Sequence, residues 1–275
     1  SYAVGINVSG RLIELDYPYA ESLFDMGFLA NFKGRIADET FLPPGNLLNL
    51  TVEAGLEGWS LYGSNASILE RKYELYDDEW NKLAEIVDSE KGDFPVLKTY
   101  NLTLNLAEDE AKRLLKKHME EGNVSFTLKL VSMTVNIQGV NVTVQNLEEN
   151  APTGTGGPLG VKLMSAHATA DKSKIFVDFE LTNTLRYELN LTGTDAIYVE
   201  VYPQGLDLLL AQGNLSGEYS IPPGNSTSFE VHATTTPDGQ AFLQANPNTK
   251  FVIVFVFHVR FYSLDVYPEF SRRQE

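Results

Sequence analysis

The chain has 275 residues, 43% hydrophobic and 21% charged, a globular balance with length for two cores of ordinary size. Its formal charge of -16 argues against nucleic acid and anionic lipid as partners, and the absence of cysteine excludes disulfides, thiolate metal sites and cysteine nucleophiles. No apolar run approaches the roughly 18 residues of a membrane helix; the longest, Phe251 to Phe257 (FVIVFVF), is strand-sized.

The sequence starts at Ser1 without a methionine and enters patterned residues at once, as expected of a mature form from which a signal or anchor has been removed. Residues 2 to 18 alternate toward a strand ending in Tyr17-Pro18, a second Leu- and Phe-rich strand follows, and Leu42-Pro43-Pro44-Gly45-Asn46 (LPPGN) closes it with turn chemistry. An insertion of about 50 residues, roughly 52 to 100, comes next. In it Leu69, Tyr73, Tyr76, Trp80, Leu83 and Val87 step by four and three, which predicts an amphipathic helix over an open end of a sandwich. Tyr73, Tyr76 and Trp80 are the candidate interaction surface on that helix. Asp77, Asp78 and Glu79 diverge around a helix axis and read as a solvated face rather than a cation site.

YNLTLNL (100 to 106) alternates Asn101, Thr103 and Asn105 against Leu102, Leu104 and Leu106, a half-buried strand. A shorter helix is expected from Ala107 to Glu120, acidic at Glu108, Asp109 and Glu110 and basic at Lys112, Arg113, Lys116 and Lys117, in the order that suits the helix dipole. Two long strands then close the first half. Residues 146 to 160 (NLEENAPTGTGGPLG) lose periodicity, and their Gly-rich segment lacks the Lys-Ser/Thr of a phosphate loop. Domains are therefore placed at 1–147, a sandwich with the helical insertion at about 52–100, and at 161–275, with 148–160 as linker.

The second half opens with a hairpin turning at Asp171 to Ser173, and then repeats features of the first. IYVEVYP precedes Ile221-Pro222-Pro223-Gly224-Asn225 (IPPGN), TSFEVHA answers LNLTVEA, and KFVIVFVFHVRFY closes it. Two tandem antiparallel β-sandwich domains, mainly β with some α+β content, is the expected fold. The first copy has no room for the leading hairpin, so its strand-poor start is expected to be completed by other strands of the chain or by a neighbour's. The order KIFVDFELTN with strand-end Asn183, IYVEVYPQGLDLLLAQG, IPPGNSTSFEVHA and the closing strand resembles the type 2 late-embryogenesis-abundant proteins, or water-stress and hypersensitive-response (WHy) domain, over residues 161 to 270. A partial, interrupted copy covers 2 to 145. That resemblance implies about seven strands per full domain, a short helical stretch before the last strand, and non-enzymatic roles in stress protection or in envelope proteins; the family's usual Asn-Pro is here Asn183-Thr184.

Asn-x-Ser/Thr triplets begin at Asn7, Asn49, Asn65, Asn101, Asn123, Asn141, Asn190, Asn214 and Asn225, several-fold more than composition gives by chance. The enrichment predicts export to the cell surface and N-glycosylation. His118, His167, His232 and His258 have no neighbours at metal-ligand spacing, and no catalytic set or cofactor motif stands out, so no cofactor and no metal is expected. The function expected is that of a non-enzymatic exported or cell-surface glycoprotein, a structural or interaction module of a cell envelope. Its partners are proteins or further copies of itself, and membrane attachment comes only through an anchor outside the chain. The alternatives are a filament subunit completed by strand donation, and a small-ligand binder or hydrolase with a cleft at the insertion.

Overall fold

The computed structural model describes residues 3–8, 11–16, 31–57, 66–93, 97–122, 124–137, 140–152 and 157–274. They are mostly antiparallel strand, as the alternating sequence requires, and fall into two compact units. The first comprises Ser1–Phe41, Leu47–Leu106 and Val124–Thr153. The second comprises Leu42–Asn46, Ala107–Asn123 and Gly154–Glu275.

In the first unit, β1 (Ala3–Val8) and β2 (Arg11–Asp16) form a two-stranded ribbon with Ala3 opposite Asp16. One sheet joins β3 (Asn31–Leu42), β4 (Leu47–Glu57) and β8 (Leu97–Asn105). A second runs β10 (Val140–Pro152), β9 (Ser125–Ile137), β5 (Ala66–Tyr76), β6 (Lys82–Asp88), with short β7 (Gly92–Asp93) beside β5. Every second residue of β4 and β9 is buried, Leu48, Leu50, Val52 and Ala54 on one and Phe126, Leu128 and Leu130 on the other, which is the inner face of a sandwich. Gly34 in β3 lies so close to Leu128 that a Cβ would stand 2.6 Å from the leucine Cδ2. The two sheets touch there because glycine has no side chain.

The helix expected over Leu69 to Val87 is instead the β5–β6 hairpin, with Arg71 opposite Asp88 and Tyr73 opposite Ile86. Two physical features hid it. The pairing of β5 with β9 shifts between Ile68 and Glu70 and again between Lys72 and Tyr73, and such bulges change which face a residue meets, so apolar positions step by three or four as on a helix. At the turn, the Asp77 carboxylate accepts the N–H groups of Glu79 (2.9 Å) and Asn81 (2.8 Å) and the Asn81 Nδ2 (2.9 Å). This side-chain capture of backbone donors competes with helix continuation.

The second unit has one sheet path, β11 (Gly160–Ala168), β12 (Lys174–Thr182), β15 (Ser226–Thr235), β14 (Ala211–Ile221), β13 (Leu189–Pro203), β16 (Phe251–Phe257), β19 (Glu269–Arg273). Strands β14 and β15 pair only at Ala211–Thr235 and Gln212–Thr234. The path therefore folds there into layers of three and four strands, and Phe179 of β12 meets Phe255 and Phe257 of β16 at 4.6 and 6.1 Å across them. Off this path, the short strands β17 (Val259–Phe261) and β18 (Leu264–Val266) pair with each other, and β17 meets β13 at Val259–Leu191. The expected hairpin is present, its turn held by Asp171 accepting from Thr169 Oγ1 and Ser173 N.

Both PPGN segments are turns between consecutive strands, but they are held differently. In the second copy the buried Asn183 is bonded on every side: its Nδ2 donates to Tyr187 O (2.8 Å) and Ile221 O (2.7 Å), and its Oδ1 accepts from Leu185 N (3.0 Å). Its backbone pairs with the turn itself, Asn183 N to Asn225 O and Gly224 N to Asn183 O. In the first copy, where the Pro43–Pro44 bond is cis, Ser263 donates its N–H and its hydroxyl to Pro44 O, and Gly45, at φ 117°, packs against Leu264. Residues 42–46 accordingly belong to the second unit.

So does the expected second helix, α1 (Glu108–Glu121). Gly122 ends it at φ 78°, where a Cβ would lie 2.4 Å from Pro158 N, so only glycine fits. Its buried face is Ala111, Leu114, Leu115, His118 and Met119, with Met119 O accepting from Leu159 N and Glu120 Oε1 from Glu269 N. The division at 147/161 is corrected accordingly: both α1 and the first PPGN turn lie inside the sequence of the first half and fold with the second. A further helix, α2 (Pro237–Ala245), is capped by Thr236 Oγ1, which accepts from Gly239 N, with Pro237 at its start.

Candidate binding surfaces

The three aromatic residues expected on one helix face are separated by the hairpin. Tyr73 is fully buried and stacks on Phe32 at 6.2 Å, so it is core and not surface. Tyr76 and Trp80 meet at 5.7 Å at the turn, and Trp80 is 58% exposed at φ 64°. A bulky residue in the left-handed region is unfavourable by itself and is held by its surroundings. Here the Asp77 bonds and Trp80 N donating to Asp77 O (3.2 Å) fix the turn. Around it, Lys82 binds Glu74 and Glu85 at 2.7 Å each, Lys72 binds Glu85, and the Tyr76 hydroxyl donates to Glu74. Lys82 holds the carboxyls of Glu74 and Glu85 below their ordinary range, and its hydrogen bonds to Glu74 and then Glu85 raise the ammonium pKa in turn. The arrangement presents one apolar ring on a fixed, acidic turn, the geometry of an anchor residue.

At the other end of the hairpin lies the buried polar cluster of this unit. Arg71, 1% exposed, approaches Asp88 at 3.6 Å and donates weakly to Glu90 O at 3.4 Å; its Nε and Nη1 make no hydrogen bond. Asp88 also takes Lys98 Nζ and the Tyr100 hydroxyl at 2.9 Å each, and Lys98 reaches Glu90. Burial pushes the Asp88 carboxyl up, but Lys98, the Glu90 N–H, Tyr100 and Arg71 outweigh it and hold it below its usual value. Burial raises Tyr73 to about 12 and raises Tyr100 as well. Two cations face two carboxylates, so the cluster ties β5, β6 and β8 together with no net charge for a ligand.

Among the described residues no three His, Cys, Asp or Glu side chains come together as a metal site. His167 stacks on Phe176, His232 lies edge-on to the same ring and pairs with Glu230, and His258 pairs with Asp265 at 3.0 Å. His118 is buried on α1, where burial and then the nearby Arg186 charge lower its pKa. A histidine whose folded pKa lies below its unfolded value of about 6.5 supports folding fully above that pH and loses the contribution as pH falls through the folded value. The second unit should therefore lose stability on acidification below about pH 6.5, before carboxylates titrate. Thermal melts across this range should show the slope in the natural chain and its loss in His118→Leu.

Of the sequons, Asn101, Asn141, Asn190, Asn214 and Asn225 are exposed. Asn101 accepts from Thr51 Oγ1 and Asn141 from Asn136 Nδ2, through carbonyl oxygens that a glycan leaves free. Asn214 spends its Nδ2 on Thr194 O and Asp195, and Asn49 has its Oδ1 buried. The side chain of Asn7, and Asn65 and Asn123 entirely, lie outside the described residues. The cleft expected at the insertion has no helix to form it. In the second unit one groove of about 560 Å³ is lined by Asn190, Glu218, Tyr219, Arg260 and Tyr262, the last exposed at φ 53°. Another of about 560 Å³ runs along β11 and β19. Neither was legible in the sequence, since each joins residues from distant strands.

No known protein-family profile matches the chain, and no curated protein matches it. Among solved structures, the crystal structure of red sea bream transglutaminase aligns over 93% of this chain and 32% of its own at 14% identity and a TM-score of 0.41. A chain named pT26-6p aligns over 89% of this chain and 65% of its own at 12% identity and a TM-score of 0.28. The chain thus spans about a third of the transglutaminase and just under two thirds of pT26-6p. At these values the likeness carries no argument about activity.

Proposed function

We propose that this chain is an exported, N-glycosylated surface protein that acts by binding rather than by catalysis, as an interaction module of a cell envelope. The observation that carries the reading is the position of the sequons: five of the nine, in both units, stand in solvent on strands or at a turn. The -16 charge suits an exterior that must stay hydrated, and Trp80 on its fixed turn suits a protein-binding role. The WHy resemblance of the second unit belongs to the same proposal. It gains a physical reason, because Asn183 and the IPPGN turn that carry it are bonded to each other.

Site-resolved mass spectrometry of glycopeptides from native material tests the modification. Occupancy is expected at Asn101, Asn141, Asn190 and Asn225, and to be lower at Asn49, whose carboxamide oxygen would have to leave the core. Native protein with every sequon unmodified would overturn the glycoprotein reading.

A further inference from the structure

The two ends of the second unit's sheet, β11 and β19, come side by side without backbone pairing. Two side chains bridge the gap instead: Arg272 Nε donates to Val161 O at 2.6 Å, and Gln274 Nε2 to Ala166 O at 3.0 Å. The carbonyls of Val161 and Ala166, both buried residues, are thus met by groups on long, flexible stems rather than by a strand. A bulge between Leu163 and Ser165 interrupts β11 beside the gap, and Met164 at the bulge is 58% exposed.

Charge distinguishes this groove from the rest of the molecule. Its walls carry Lys162, His167, Arg272 and Arg273 and no carboxylate. Among the described residues Lys162, Arg272 and Arg273 form no ion pair, although the chain as a whole has a charge of -16. Exposed sheet edges are often guarded by a charge that discourages pairing. Here cations stand on both walls of a groove beside an edge that no strand pairs with, so they select a partner by sign while excluding another basic strand.

We propose that the β11–β19 seam is a docking site for an acidic, extended peptide segment. The segment adds along β11 as a strand, its N–H groups replacing the Arg272 and Gln274 side chains on Val161 O and Ala166 O. Its carboxylates lie against Lys162 and Arg273, and an alternate apolar side chain covers Met164. The inference rests on the binding-module reading for there being a partner, and is independent of export and glycosylation.

The test uses the full chain made without glycosylation and a fluorescent peptide of alternating glutamate and valine, about ten residues long, enough to span the strand. Anisotropy should show saturable, salt-sensitive binding, and hydrogen exchange should show new protection within residues 160–168. A lysine-valine peptide should not bind. A peptide of the same charge with alternate amides N-methylated should bind at least tenfold more weakly, because it cannot pair as a strand. Lys162→Glu with Arg273→Glu should weaken binding by tenfold or more, and Lys162→Gln with Arg273→Gln serves if the reversal disturbs folding. Equal binding of the methylated peptide would reassign the groove to polyanions in general. Absence of binding, unchanged exchange in β11, or self-association in sedimentation that these variants abolish would each overturn the proposal. None of these outcomes bears on sequon occupancy, so the two readings fail separately.

Discussion

Replacing Leu114 by alanine will loosen the second unit and leave the first unchanged, although Leu114 lies in sequence between two strands of the first. The leucine is fully buried on α1, and α1 folds with Gly154–Glu275. Truncating a buried leucine costs about 2–5 kcal/mol, the transfer energy of the lost methyls plus the cavity left behind. Hydrogen exchange should rise in residues 157–168 and 259–273, where Leu159 and Glu269 bond to the helix. Both tryptophans, Trp59 and Trp80, fall in the stretch Leu47–Leu106 of the first unit, so the midpoint of tryptophan emission in urea should not move. A shifted emission midpoint with unchanged exchange in the second unit would mean that α1 stabilises the sandwich beside it in sequence.

Asn183→Ala should be the most damaging single polar substitution in the second unit. It strands Tyr187 O, Ile221 O and Leu185 N inside the fold, at roughly 1–3 kcal/mol for each buried group left without a partner. Partial relaxation brings the expected total to about 3–5 kcal/mol. Asn183→Asp is nearly the same shape but should be no better, because it sets an oxygen in place of Nδ2 against two carbonyls. Urea titrations followed by tyrosine near-ultraviolet circular dichroism measure both variants. A loss below about 1 kcal/mol would show that the IPPGN turn is held by its own chemistry alone.

Local signals in the sequence translated directly into structure. Strict alternation in YNLTLNL became β8, the acid-to-base gradient became α1, and the Asp171–Ser173 hairpin formed where turn residues interrupt two apolar runs. Failures came where a signal is not local. Two bulges and an aspartate-bound turn gave β5 and β6 a helical spacing, which singled out Trp80 for the wrong reason and placed buried Tyr73 on a surface. Which unit α1 serves depends on Leu159 and Glu269, and its amphipathic pattern is equally compatible with either partner. The seam groove joins β11 to β19 across more than 100 residues, and neither strand carries a motif that announces the other.

An exported, glycosylated binding module must be displayed at the cell surface. Brief trypsin treatment of intact cells that make the protein naturally, followed by mass spectrometry of the released peptides, tests this directly. Recovery of this chain's tryptic peptides before lysis, without cytoplasmic markers, is the predicted result. Release of this chain's peptides only after lysis, together with those markers, would contradict it.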